Sequence, residues 1–233
     1  IDRRVKAITD KLKIGNMYVN RNQIGAVVGS QPFGGEGLSG TGPKAGGPSL
    51  VKSFTKKDLP LHPSDHADAS LVDPADVQKL IGSVKRDIPK SKTENFPGPT
   101  GETNQMNHFP RGIVLCLGPT SQDCENQAKI ASAAGCTAVE ICPDARGKYA
   151  IPGFLDRGHL ATLNGFEVVA LWSDEEDLRL ARAALAEQSD KFIPLVATTE
   201  MEEFLFHERL VCTDTTAAGG NATLFAMMGK NQA

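Results

Sequence analysis

Nine of the chain's 23 glycines fall within residues 20–48, NRNQIGAVVGSQPFGGEGLSGTGPKAGGP. A loop this rich in glycine invites a phosphate-cradling reading, but the residues reject it. A phosphate loop needs Gly before its Lys and Ser or Thr after it, whereas Lys44 stands between Pro43 and Ala45. On composition alone the run also fits a turn region holding a sheet edge. The other reactive side chains form no pattern that holds a metal. Cys116, Cys124, Cys136, Cys142 and Cys212 are odd in number and contain no CxxC pair, which suggests buried free thiols rather than a disulfide framework or a zinc site. His62 and His66 are four apart, but Pro63 breaks the helix that would bring them together.

The elements around the loop divide the chain into three. Ile1, Val5, Ile8 and Leu12 recur at helical spacing, Gly15 stops that helix, and residues 16–20 suit a short strand. A domain seldom opens on its densest loop, so residues 1–58 are expected to be the end of a larger fold. Residues 59–110 turn to Pro, Ser, Asp, Thr and Asn and read as a linker. Within it Asp73 caps a helix over about 73–88, with Pro74 in its first position and Val77, Leu80, Ile81, Val84 and Ile88 on one face. The stretch Pro89 to Pro110 is expected to be mobile.

From Arg111 onward, apolar runs (GIVLCLG, CTAVEIC, FEVVALW, FIPLVATT) alternate with helix-like stretches. Strands buried on both faces read as such runs, so the fold class is α/β, with a Rossmann-like parallel sheet in residues 111–233. Ser173 is the expected cap of the helix that follows FEVVALW. The end of the chain reads as a β-hairpin flap turning at Ala217 to Asn221. The first turn of this domain, LGPTSQDCENQA, has one glycine where a dinucleotide fingerprint wants three. Pro119 removes an N–H there, and Asp123 and Glu125 repel phosphate from the helix start.

A net charge of −3 and a sequence pI near 6.0 give no footprint for nucleic acid. No apolar run approaches the roughly 18 residues that span a bilayer, and the start IDRRVKAITD has no signal-peptide core, so a cytoplasmic protein is expected.

The string PFGGEGLSGTGPKAGGP, preceded by NMYVNRNQIGAVVG, resembles the end of the catalytic domain of aldehyde dehydrogenases. It is most similar to the L-glutamate γ-semialdehyde (1-pyrroline-5-carboxylate) dehydrogenase module of the bifunctional proline utilization A family, and CTDTTAAGGNATL carries the same resemblance at the C-terminus. The resemblance implies that the loop over Ile24 to Val27 anchors the substrate's α-carboxylate through backbone N–H groups. Gly25 and Ala26 would form that anchor, and Phe33 would pack on the substrate's aliphatic part. Ser30 and Gln31 line the same loop without an assigned role.

It further implies NAD as oxidant, FAD in an upstream proline dehydrogenase module, and possible homo-oligomers. In that family the nucleophilic cysteine, the base and the dinucleotide site all precede PFGG. The chain alone is therefore expected to hold no catalytic residue, no metal and no cofactor, and to be inactive. Ala217, Ala218, Gly219, Gly220 and Asn221 are implied to form part of a lid over a tunnel between two active sites, although AAGGN also fits an ordinary hairpin turn. The alternative reading makes the α/β domain a module that binds a small ligand or a partner protein.

Overall fold

The computed structural model describes residues 2–23, 25–40, 42–55, 57, 59, 62–63, 70–85 and 91–215. In chain order its elements are α1 (Asp2–Thr9), β1 (Asn16–Val19), α2 (Leu50–Ser53), α3 (Pro74–Ser83), β2 (Lys92–Phe96), β3 (Glu102–Pro110), β4 (Ile113–Cys116), α4 (Ser121–Ala133), β5 (Thr137–Cys142), β6 (Ala150–Pro152), β7 (Val168–Ala170), α5 (Glu175–Ala186), β8 (Leu195–Val196) and β9 (Phe206–Asp214). The chain alternates between two compact units. Residues 1–54, 92–108 and 208–233 make the first, and residues 55–91 and 109–207 make the second. The linker expected over 59–110 is therefore not one piece, because its second half is sheet.

The first unit is built on a four-stranded sheet in the order β1-β9-β3-β2. β1 runs parallel to β9, with Met17 opposite Val211 and Tyr18 opposite Cys212. β2 and β3 form an antiparallel hairpin in which Lys92 faces His108 and Phe96 faces Asn104. This corrects the expectation of a mobile stretch from Pro89 to Pro110. Asn104 and Met106 are buried at period two, and the polar residues that look like loop composition bond across the strands instead. Thr93 Oγ1 lies 2.7 Å from Asn107 Oδ1, and Gln105 Nε2 lies 3.1 Å from Asn95 Oδ1. β9 overlaps the start of the stretch expected to form the terminal hairpin, and its neighbours in the sheet are β1 and β3. The residues assigned to the hairpin's turn and lid, Ala217, Ala218, Gly219, Gly220 and Asn221, lie outside the described residues.

The second unit carries a five-stranded sheet in the order β6-β5-β4-β7-β8, with every pairing parallel. Alternation along the strands separates two cores. Ile113, Leu115, Val139 and Ile141 pack with Val77 and Ile81 of α3 and with Leu178, Ala181 and Leu185 of α5. Val114, Cys116, Val168 and Ala170 pack with Cys124, Ala128 and Ala131 of α4. Both sheet faces are thus covered, which is why the strands read as unbroken apolar runs.

The helix expected over 73–88 ends at Ser83, with the Asp73 carboxylate accepting from Ala75 N–H at 2.8 Å; Ile88 lies outside the described residues. α5 is capped by Asp174, which accepts from Asp177 N–H at 3.0 Å, and not by Ser173. Ser173 is buried in an extended bridge with His62, one residue too early for the cap. Among the described residues no helix is long and apolar enough to cross a membrane.

Candidate functional site

The glycine-rich loop is fastened to the first unit by side chains drawn from its own flanks. Asn16, opening β1, donates from Nδ2 to Pro32 O at 2.9 Å and accepts Gly34 N–H on Oδ1 at 3.0 Å. Lys44 Nζ donates to the same Oδ1 at 3.1 Å and to Gly34 O at 2.6 Å. Phe33 and Ala45 exchange both backbone hydrogen bonds, at 2.9 and 2.8 Å. Gly15 is required by this closeness, since a Cβ there would collide with the Gly34 carbonyl.

Lys44 is 2% exposed. Burial pushes its ammonium pKa down to about 8 against the opposing pull of Glu208 and Glu36. Because the folded value lies below the unfolded one, the charged lysine costs stability at neutral pH, and that cost is relieved as pH rises from about 8 toward 10.5. The neutral amine still has two N–H donors for its two acceptors. Urea unfolding should therefore show a gain over that window, by up to about 3 kcal/mol, that Lys44→Met lacks. Parallel pH profiles for the two proteins would contradict this.

Beneath the loop, Gln31 is 2% exposed and donates to Glu102 Oε1 at 2.8 Å and to Cys212 Sγ at 3.4 Å. Its Oε1 meets Val27 N–H at 3.4 Å, at the turn that Gln31 N–H closes on Val27 O at 2.7 Å. Arg21 pairs with Glu102 and reaches Cys212 Sγ at 3.1 Å. Burial pushes the Glu102 carboxyl up, but hydrogen bonds from Asn104 and Gln31 and the charge of Arg21 outweigh it and hold the group below its ordinary value. Burial likewise raises the Cys212 thiol. On the other side of the loop, Arg209 of β9 grips Glu36 of PFGGEG with two bonds of 2.6 and 2.7 Å.

This framework leaves a projecting rim. Gly25 has φ of +79° with open space where a side chain would be, so an L-residue would be strained there without any collision. Ala26, Val27 and Val28 are exposed, and Phe33 is 54% exposed despite its bonded backbone. Gly25, Ala26 and Phe33 thus belong to one glycine-rich stretch and are each exposed, with backbone and apolar side chains uncovered. Of these supporting groups, Glu36, Glu102 and Arg209 escaped the sequence reading; Lys44 entered it only as a failed phosphate ligand and Cys212 as a buried free thiol, which it is. One signal was present: Arg209 directly precedes the apolar run Leu210, Val211 and Cys212 of β9.

In the second unit the start of α4 is taken up by the chain itself. Thr120 Oγ1 accepts Asp123 N–H at 3.1 Å, and the Asp123 carboxylate accepts from Thr120 N–H and meets His62 Nδ1 at 2.8 Å. Gln127 bonds both Gly118 N–H and Gly118 O, at 3.1 and 2.8 Å. N–H groups that a pyrophosphate would use are thus already bonded, and the Asp123 carboxylate stands at the helix start, so this turn does not fit NAD. His66, the other member of the histidine pair, lies outside the described residues. Among those described, no group of three or more His, Cys, Asp or Glu could hold a metal.

Residues 2–58 match the sequence model of the Aldehyde dehydrogenase family. The chain is 32% identical to bifunctional protein PutA of Escherichia coli (strain K12) over 265 residues, covering 97% of the chain and 20% of that protein. The chain is homologous to one segment of PutA. PutA of Rhizobium meliloti is 31% identical with the same 97% of the chain covered, so the chain spans about a fifth of the length of the curated relatives it matches. A 42-residue stretch, 18% of the chain, is 56% identical to a 1-pyrroline-5-carboxylate dehydrogenase of Geobacillus sp. (strain WCH70), covering 8% of that enzyme. The structure of PutA from Corynebacterium freiburgense matches 92% of the chain and 22% of its own length, at a TM-score of 0.51 and 19% identity, a likeness of fold.

Proposed function

We propose that this chain is the substrate-anchoring end of an NAD-dependent L-glutamate γ-semialdehyde dehydrogenase, within a bifunctional proline-catabolic protein of the PutA kind. The observation that carries this reading is the rim. Gly25 holds a left-handed backbone in open space, where amide N–H groups can approach a carboxylate without a Cβ in the way. Gly25 and Ala26 bind the α-carboxylate. Phe33 covers the aliphatic chain and keeps water from the reacting carbon. Binding the carboxylate remote from the aldehyde orients the substrate, which is the contribution that positioning makes to the barrier.

The groups that oxidise the aldehyde lie elsewhere in the longer protein. NAD belongs with those residues, since the α4 turn does not fit it, and FAD belongs with the proline dehydrogenase module that supplies the semialdehyde. The second unit and the tail act as a noncatalytic lid and assembly element, with Ala217, Ala218, Gly219, Gly220 and Asn221 covering the passage between the two active sites. The whole protein is cytoplasmic.

Phe33→Ala in the full-length protein should lower kcat/KM for γ-semialdehyde oxidation by roughly tenfold, the scale of a lost apolar contact. Proline oxidation by the other module should not change. Steady-state NADH formation and flavin-linked proline oxidation read the two separately. Unaltered NADH kinetics, or an equal loss in both activities, would overturn the role of Phe33.

A further inference from the structure

Donors from three side chains converge on one carboxylate beneath the glycine-rich loop. Glu102, opening β3, accepts Gln31 Nε2 and Asn104 Nδ2 on Oε1, each at 2.8 Å, and pairs with Arg21 through Oε2. Burial opposes the charge, but those hydrogen bonds and the Arg21 guanidinium keep the group ionised. An ionised carboxylate accepts hydrogen bonds and never donates one. The Gln31 amide, 2% exposed, is therefore fixed end for end: Nε2 faces Glu102, which turns Oε1 to Val27 N–H at 3.4 Å. Val27 is held from its other side too, since its carbonyl accepts Ser30 N–H at 3.1 Å and Gln31 N–H at 2.7 Å. All of these residues lie in the first unit. Arg21, Val27, Ser30 and Gln31 fall within residues 2–58, the part that matches the Aldehyde dehydrogenase family, whereas Glu102 and Asn104 belong to β3, outside that match.

We propose that Glu102 is a positioning residue for the carboxylate anchor, orienting Gln31 so that the backbone from Gly25 to Val27 keeps its binding conformation. The inference rests on the reading of that backbone as the anchor. With Val27 N–H taken by Gln31 Oε1, the donors left to the substrate's α-carboxylate in that reading are those of Gly25 and Ala26. Glu102→Gln puts an NH2 group where only an acceptor stood. The Gln31 amide is then no longer held in one sense, and a flip sets its own NH2 against Val27 N–H, donor against donor. The bond that fixes the turn is lost, and the turn shifts. Glu102 does this without touching the substrate, through one intermediary side chain.

Kinetics of the full-length protein test this through the ratio of kcat/KM for γ-semialdehyde to that for an aldehyde of similar length without the α-carboxylate. Glu102→Gln and Gln31→Met should each lower the ratio by about tenfold, a part of the roughly 10²-fold that a 1 Å misplacement costs, through a raised KM for the semialdehyde. General loss of stability does not move the ratio, because both aldehydes use the same folded enzyme. Combining the two changes should lose no more than either alone, since Glu102 acts through Gln31. Glu102→Asp keeps the charge but draws the acceptor back by one methylene, and it should shift the ratio in the same direction even where Glu102→Gln does not fold. Gly25→Ala, assayed beside them, separates the two claims. A ratio that collapses in Gly25→Ala but holds in the Glu102 variants would overturn the positioning role and leave the anchor standing; a ratio that holds in Gly25→Ala would remove both. Losses that multiply in the double variant would also overturn the proposal.

Discussion

Arg209→Met should destabilise the chain by about 3–5 kcal/mol, the cost of stripping one partner from a buried ion pair. Both side chains are under one tenth exposed, and the guanidinium grips Glu36 through two parallel bonds. Taking it away leaves the Glu36 carboxylate in the packed interior between the loop and β9 without the two short bonds that offset its desolvation. The companion change separates this from simple loss of packing. Glu36→Leu combined with Arg209→Met should recover most of the loss, since an apolar pair of similar volume replaces a buried ion pair at little net cost. Urea unfolding of the three proteins reads the result. A single-variant loss below about 1 kcal/mol, the range of exposed pairs, would show that the pair does not hold the loop. Because Glu36 lies inside PFGGEG, the same change should also loosen the rim that carries Gly25 and Phe33.

Much of the second unit was legible in the sequence because its strands are covered on both faces. GIVLCLG, CTAVEIC and FEVVALW contain β4, β5 and β7, and the sheet is parallel as their continuous apolar character predicts. The first unit was harder to read for a physical reason. β2 and β3 draw on Thr93, Asn95, Gln105 and Asn107, which satisfy each other across strands, so their composition resembles a loop. The parallel pairing of β1 with β9 joins residues about 194 apart, and no local pattern encodes a contact of that span.

The loop showed the same division. Its glycines were visible, and so was the resemblance of PFGGEGLSGTGPKAGGP. Its support was not, because Lys44, Glu102 and Arg209 become meaningful only when folding places Asn16, Gln31 and Glu36 beside them. Ser173 failed as a cap for a local reason: the strand-like backbone continues one residue further, to Asp174.

Gly25→Ala in the full-length protein should reduce kcat/KM for γ-semialdehyde by about 10²-fold. A misplacement of about 1 Å in the groups that position a substrate costs on that order. The added Cβ meets no neighbour, so its effect comes from backbone that leaves the left-handed region and turns its N–H groups away from the carboxylate. General damage to the enzyme would slow every aldehyde. Loss of the anchor slows only those that carry the carboxylate.

The most direct test of the account is therefore the ratio of kcat/KM for γ-semialdehyde to that for an aldehyde of similar length lacking the α-carboxylate, measured in the unsubstituted and Gly25→Ala full-length proteins. The account predicts that the ratio collapses by about two orders of magnitude, with the carboxylate-free aldehyde little changed. An unchanged ratio, whether both rates fall together or neither falls, would contradict the assignment of this loop as the carboxylate anchor.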